Sequence, residues 1–421
     1  MFSDYLELNK ERKEISLLIF FVSFFPFFIL LGSAFINSSI IFISLLFLYY
    51  SIKEKKFLFL KNFYFILLAI FFLSLIINIF FSKYGTEDYS RQVGFLRFII
   101  FIFAISFCFN FSEGKYKNLI FKSWFIIFII VTLDLFFEFI FGFNVLGNTS
   151  YMPGRLSSFL GEELKIGNYY FGFFLISSVY LIDLTSEKNK LILFGIIFFV
   201  VISFMIGERS NFIKVFFCFF LFIYALEKFS ILFKIIATFL IIFIISISTF
   251  FNTNINSRMK QIYEPILEFG ISKYIKTSHY GVHYDTAIKI YHDNKYFGIG
   301  LKQFRNESGK EIYDSNENNI YKRDNWATHP HQIHFEILSE GGLFGYISFI
   351  LFFIFTLLKS INSYFKTRDK YLLSGIIFII ATLIPILPSG SFFTTYTATI
   401  FWINYALIVS FDKSEHKNEK Y

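Results

Sequence analysis

The residues best suited to chemistry lie in Thr328 to Tyr346, THPHQIHFEILSEGGLFGY, which holds three of the seven histidines. His329, His331 and His334, with Gln332 and Glu336, stand where a long polar stretch runs into an apolar one. Imidazole is the side chain that gains or loses a proton near neutral pH, so the cluster suits general-base work. Pro330 favours an extended His329 and a helix that begins just after it. A helix starting there would set His331 and His334 on one face. Histidines at this spacing can also ligate zinc. The H-E-x-x-H pattern is absent and no cysteine is near, so the expectation is a site without metal or other cofactor. The plain alternative is interfacial histidines bridging water and lipid headgroups. The clustering beside Gly341 and Gly342 argues for a site instead.

Other stretches could serve the same site. GERSNF, Gly207 to Phe212, places Arg209 in a turn between two apolar runs. A charge there is expensive and usually faces a partner or ligand, and the guanidinium fork matches phosphate oxygens. GRLSSFLGEELKIGNYY, from Gly154, supplies Arg155, as readily an ordinary interfacial loop as a site. SHYGVHYDTAIKIYHD, from Ser278, carries His279, His283 and His292. Asp134 and Glu138, four apart in an apolar run, suit either a buried proton or cation site or a bland internal pairing.

The elements that must position these residues are membrane helices. Hydrophobic residues make up 55% of the 421 and charged residues only 17%, against about 25% in soluble domains. Roughly twenty apolar residues cross a bilayer as a helix, and about twelve such runs occur, near 15–36, 38–52, 62–81, 92–111, 118–141, 165–183, 190–206, 210–226, 230–251, 332–358, 370–387 and 391–411. The net charge of +8 does not point to nucleic acid, because the lysines cluster in alternate short loops, as in Lys53, Lys55, Lys56 and Lys61. The intervening short loops hold only Lys83, Arg91, Arg155 and Arg209. Basic residues are retained on the cytoplasmic side, so both termini are expected there. Cys108 and Cys218 lie inside apolar runs and suggest no disulfide.

The expected architecture is therefore an all-α polytopic membrane protein: helices one to nine in 1–251, a large periplasmic loop in 252–331, and helices ten to twelve with a short tail in 332–421. Within the loop, EPILEFGISKYIK and YDTAIKIYHD read as short amphipathic helices. NKYFGIGLKQF reads as a turn with paired glycines, and NESGKEIYDSNENNIYKRDN as a polar stretch.

These residues together resemble the O-antigen ligase and O-antigen polymerase family. The signature is His331-Gln332, nine residues, then Gly342-Leu343-Phe344-Gly345, with the lead-in Thr328-His329-Pro330-His331. GERSNF is similar to the family's Ser-Arg helix motif, and NKYFGIGLKQF to its P-x-x-G-x-G-x-x-x-F turn. The resemblance implies metal-independent, inverting transfer of a glycan from an undecaprenyl-diphosphate carrier to an acceptor hydroxyl on the periplasmic face of a bacterial inner membrane. The acceptor would be lipid A-core in a ligase, or a second carrier-linked glycan in a polymerase. It further implies His331 as base, supported by His329, Gln332, His334 and Glu336, with Arg209 and Arg155 on the diphosphate. Where the family carries a second arginine in the large loop, this chain has His279, which the resemblance would place on the diphosphate as well. Gly342 and Gly345 would be close-packing positions between helices. The rival from another class is a polysaccharide or lipid transporter or flippase, which Asp134, Glu138 and Arg209 would suit.

Overall fold

The computed structural model describes residues 11–161, 163–185, 189–251, 256–257, 260, 264, 266–268, 270, 278–314, 325–385 and 387–414. Among them every regular element is helical. In chain order these are α1 (Lys13–Ser23), α2 (Phe25–Leu30), α3 (Ser33–Lys53), α4 (Phe63–Phe81), α5 (Ser90–Gly94), α6 (Leu96–Asn110), α7 (Lys117–Phe141), α8 (Ile166–Leu184), α9 (Asn189–Met205), α10 (Arg209–Ala225), α11 (Ile231–Phe251), α12 (His279–Asp293), α13 (Ile333–Thr367), α14 (Lys370–Thr382) and α15 (Thr395–Phe411). Six helical segments among the described residues are long and apolar enough to cross a membrane. The chain is thus an all-helical polytopic membrane protein. The helix expected over EPILEFGISKYIK and the middle of the polar stretch after Gly309 fall largely outside the described residues.

Several expected boundaries move: α3 begins at Ser33, α13 runs on to Thr367 and α14 stops at Thr382. The first apolar run does not continue to residue 36 but breaks at Phe24 and again at Gly32, where φ is +100° and α3 begins. Pro26 sits in the first turn of α2, the place where its missing N–H costs nothing.

α15 is buried on every side, from Thr395 to Phe411. That is how a helix hydrophobic all round must be placed in a bundle. It packs on α14 and α6, which in turn contact α10 and α3. α13 packs on α4 and carries α12 on its first turns. At 35 residues it would be about 52 Å long if straight, more than the roughly 30 Å hydrocarbon layer needs, so its first turns can stand beyond the bilayer.

α13 is broken at Gly342, which has φ +64° and ψ −168°. An unbroken helix would bond Leu343 N–H to the Ser339 carbonyl and Phe344 N–H to that of Glu340. The break frees all four groups, and the segment 295–300 takes every one. Ile299 and Gly300 N–H donate to Ser339 and Glu340 at 3.1 and 2.9 Å, while Leu343 and Phe344 N–H donate to Lys295 and Tyr296 carbonyls at 2.8 and 3.0 Å. Asn78 on α4 donates its side-chain N–H to the Phe297 carbonyl at 2.7 Å from the other side. A small apolar core of Ala287, Ile290, Ile299, Phe304, Tyr313 and Ala327 folds this loop region onto the helix.

This corrects the expected role of the two glycines. Gly342 admits a loop rather than a neighbouring helix: a Cβ there would lie 2.5 Å from backbone atoms of Gly298, Phe297 and Tyr296, and a Cβ at Gly298 would lie 2.5 Å from Glu340. Gly345 has open space where its Cβ would be, so no close packing requires it. Gly342→Ala imposes both a left-handed strain of about 1–3 kcal/mol and a backbone clash. Hydrogen exchange at Ile299, Gly300, Leu343 and Phe344 is expected to accelerate at least about tenfold, whereas Gly345→Ala leaves it unchanged. Equal protection in both variants would overturn the docking role.

Candidate active site

The segments after α4, α7, α9, α11 and α14 meet at one end of the bundle. Two buried carboxylates on α7 organise the first contributor. Asp134 accepts hydrogen bonds from Val145 N–H at 2.9 Å and Ser158 Oγ at 2.5 Å. Glu138 accepts from the N–H groups of Ser157 and Ser158 at 3.0 and 2.7 Å. These acids are thus loop anchors, not a free cation or proton site. The anchored loop then lies against the α9–α10 turn, where Leu156 N–H donates to the Ile206 carbonyl at 3.0 Å. Gly207, at φ +77°, leaves room for the Gly154 carbonyl, which a Cβ would meet at 2.0 Å.

That contact places Arg155 beside Glu208, at 2.9 Å. Arg155 also donates to the Leu164 carbonyl at 2.8 Å. Glu208 additionally accepts from Gly167 N–H at 3.1 Å and Asn211 Nδ2 at 2.6 Å. Arg209 is the first residue of α10. A cation is disfavoured at that end of a helix dipole, while an anion is favoured there. The two together describe a place for a negatively charged group.

The histidines come from the far side. Gln332, not His331, caps α13: its Oε1 accepts from His334 and Phe335 N–H at 2.6 and 3.1 Å. His331 therefore stands outside the helix, at φ +58°, and shares no helix face with His334, contrary to expectation. A left-handed residue costs about 1 kcal/mol, and here the turn is held by Ser389 N–H donating to the His331 carbonyl at 2.7 Å. Glu336 secures the same α14–α15 connection, accepting from Ser391 Oγ and from Phe392 N–H at 2.8 Å. His334 turns elsewhere, with Nε2 at 2.9 Å from the Leu383 carbonyl and Nδ1 at 3.3 Å from Tyr346 Oη. Gln332, Glu336 and His334 thus shape the backbone around His331 without facing the cavity.

The His331 ring lies 4.2 Å from that of His329, 5.3 Å from buried His283 and 5.6 Å from Tyr280, centre to centre. His279 is exposed and sits 4.8 Å from His283; Tyr280, not His279, reaches the cavity wall. Burial, followed by the neighbouring imidazoles, pushes His331 down to about 3. Burial likewise lowers His329 to about 4. Both rings are therefore neutral near pH 7. Among the described residues, no three ligating side chains are arranged to hold a metal ion.

Arg155, Arg209, His329 and His331 line one cavity of about 760 Å³. Asn37 and Ser391, from α3 and the α14–α15 connection, border it too. Lys165, from the same stretch as Arg155, lies on this wall, as do Lys214, Tyr280, Lys302 and Arg91, which the motifs did not pick out. A signal existed for Arg91, one of the few basic residues in loops that otherwise exclude them. Lys214 carried one too, as a charge inside an apolar helix, and it reaches the Pro388 carbonyl at 3.5 Å.

Residues 194–350 match a family model described as O-antigen ligase. The matched segment contains Arg209, His279 and His331, while Arg91 and Arg155 precede it. No curated protein matches the chain.

Proposed function

We propose, on the premise that residues 194–350 carry the O-antigen ligase family relationship, that this chain moves a glycan from an undecaprenyl-diphosphate carrier to an acceptor hydroxyl at the periplasmic face. The observation that carries this reading is the convergence of Arg155, Arg209, His329 and His331 on one cavity at the bundle end. In this reading the chain lies in a bacterial inner membrane with twelve spans and both termini in the cytoplasm. The large loop then faces the periplasm.

The chemistry follows from the groups present. The donor arrives with its lipid in the bilayer and its diphosphate at the surface. Arg209, the α10 N-terminus and Arg155 hold the diphosphate, with Glu208 keeping Arg155 in place. His331 takes the proton of the acceptor hydroxyl as its oxygen attacks the anomeric carbon. The new bond forms opposite the breaking carbon–oxygen bond, and the carrier diphosphate leaves with both electrons of that bond. The proton on His331 is released to water. The arginines stabilise the charge that develops on the leaving group, the kind of fixed electrostatic assistance that serves transferases well. Nothing in this scheme asks for a metal.

The ligase form of the reaction, with lipid A-core as acceptor, is tested by deleting the gene and resolving lipopolysaccharide on gels. Loss of every capped chain is expected. A single-repeat cap would assign the polymerase reaction instead. An unchanged ladder would remove the reading and leave transport of the lipid-linked glycan as the better one.

A further inference from the structure

The cavity has a second set of cations that the scheme above does not use. Arg91, in α5, and Lys302, in the strap beyond Gly300, both line the main cavity. Both also line an adjoining opening of about 350 Å³, together with Arg305 and the acids Glu87 and Asp88. Among the described residues, none of these three basic side chains makes a hydrogen bond or salt bridge, unlike Arg155, which is paired to Glu208.

The placement is constrained. Lys302 is held in the left-handed region at φ +65°, and its N–H donates to Glu340 Oε2 at 2.8 Å. Glu340 also accepts from Phe304 N–H at 3.1 Å. Glu336 is taken up by Ser391 and Phe392. The buried acids nearby are thus committed to backbone and hydroxyl donors. Asp88, whose carboxylate accepts from Ser90 N–H at 3.0 Å, is the acid facing Arg91 electrostatically. Burial, then repulsion from Arg91 and Arg305, lowers the Lys302 ammonium to about 8. Three cations set against Glu87 and Asp88 at this opening leave a positive surplus, which favours an anion between them.

The same place has an apolar lane. Arg91 and Arg97 border a third cavity, of about 240 Å³, walled by Phe95, Phe98, Phe393 and Trp402. A cation pair beside an aromatic-lined slot suits a lipid whose headgroup bears phosphate.

We propose that Arg91, Lys302 and Arg305 form a second anion site that seats the phosphate of a lipid-anchored acceptor, so that donor and acceptor are each held by their own cations on either side of His331. This rests on the transferase reading above. The shared ligand chemistry is a phosphate or diphosphate ester on a lipid. It could come from a second carrier-linked glycan or from a phosphorylated lipid core.

Two measurements on the full chain in lipid nanodiscs test it. The first is binding of inorganic pyrophosphate. Two sites are expected in the wild type, one in Arg91→Gln/Lys302→Gln, and one in Arg209→Ala. A single site in the wild type that survives Arg91→Gln/Lys302→Gln would overturn the second site whether or not transfer is ever observed. The second is steady-state transfer. Arg91→Gln/Lys302→Gln is expected to raise the acceptor KM about ten- to a hundredfold, the effect of losing charge-assisted hydrogen bonds, with the donor KM unchanged. Arg91→Lys should recover most of the loss. A raised donor KM with an unaltered acceptor KM would move these cations to the donor site and overturn the assignment. An acceptor stripped of phosphate should bind wild type and variant equally. Comparing the carrier diphosphate with the phosphorylated core shows which acceptor loses more. If the wild type transfers neither, the transferase reading fails, while pyrophosphate stoichiometry still reports on the site.

Discussion

Replacing His331 with alanine or asparagine is expected to lower glycan transfer by about a hundredfold to ten-thousandfold, the usual contribution of a positioned general base. Asparagine is the more telling variant, because it tolerates a positive φ about as well as histidine does and so preserves the turn at +58°. Protein level and membrane insertion should be normal in both. Full transfer by His331→Asn would dismiss the base. The pH profile adds an independent readout. With its pKa held near 3 by burial and by His329, His283 and His279, His331 stays deprotonated in the free enzyme well below the ordinary value of about 6.5. The acid limb of kcat/KM, which reports the free enzyme, should therefore be missing down to about pH 5. A bound diphosphate favours the protonated ring, so the acid limb of kcat should lie higher than that of kcat/KM. A kcat/KM limb near 6.5 would show that His331 is not held neutral.

Arg209→Ala should be the second most damaging change, raising the donor KM and lowering kcat together, by about a hundredfold or more in kcat/KM. Truncating one partner of a desolvated charge pair costs roughly 2–5 kcal/mol, and here the pair would be guanidinium and diphosphate. Arg209→Lys retains the charge but not the fork, and is expected to restore only part of the loss. Kinetics with the donor varied at saturating acceptor give the result directly. An unaltered donor KM and kcat in Arg209→Ala would remove Arg209 from the diphosphate site.

Much of this organisation is visible along the chain. α4, α7 and α8 begin and end within a residue or two of the apolar runs that announce them. The rarity of basic residues in alternate loops singles out Lys83, Arg91, Arg155 and Arg209. Three of these line the cavity, and Lys83 pairs with buried Glu307 at 2.9 Å. A charge kept where membrane topology disfavours it is thus a better pointer to the site than histidine spacing. Spacing misplaced His331, because Gln332 outcompetes it as the helix cap. It also misread Gly345 as a packing residue. His279 was chosen by its position in the loop, but its neighbour Tyr280 reaches the wall.

Apolar length, lysine placement and the His331-to-Gly345 motif are properties of consecutive residues, and they determined the membrane class, the helices and the family resemblance. The tertiary structure decided which distant groups meet: Arg155 with Glu208, Ser389 with His331, and the strap of Gly298 with the broken helix at Gly342. Each meeting depends on backbone groups left unsatisfied at a turn or kink, and only the packed bundle determines which segment arrives to satisfy them.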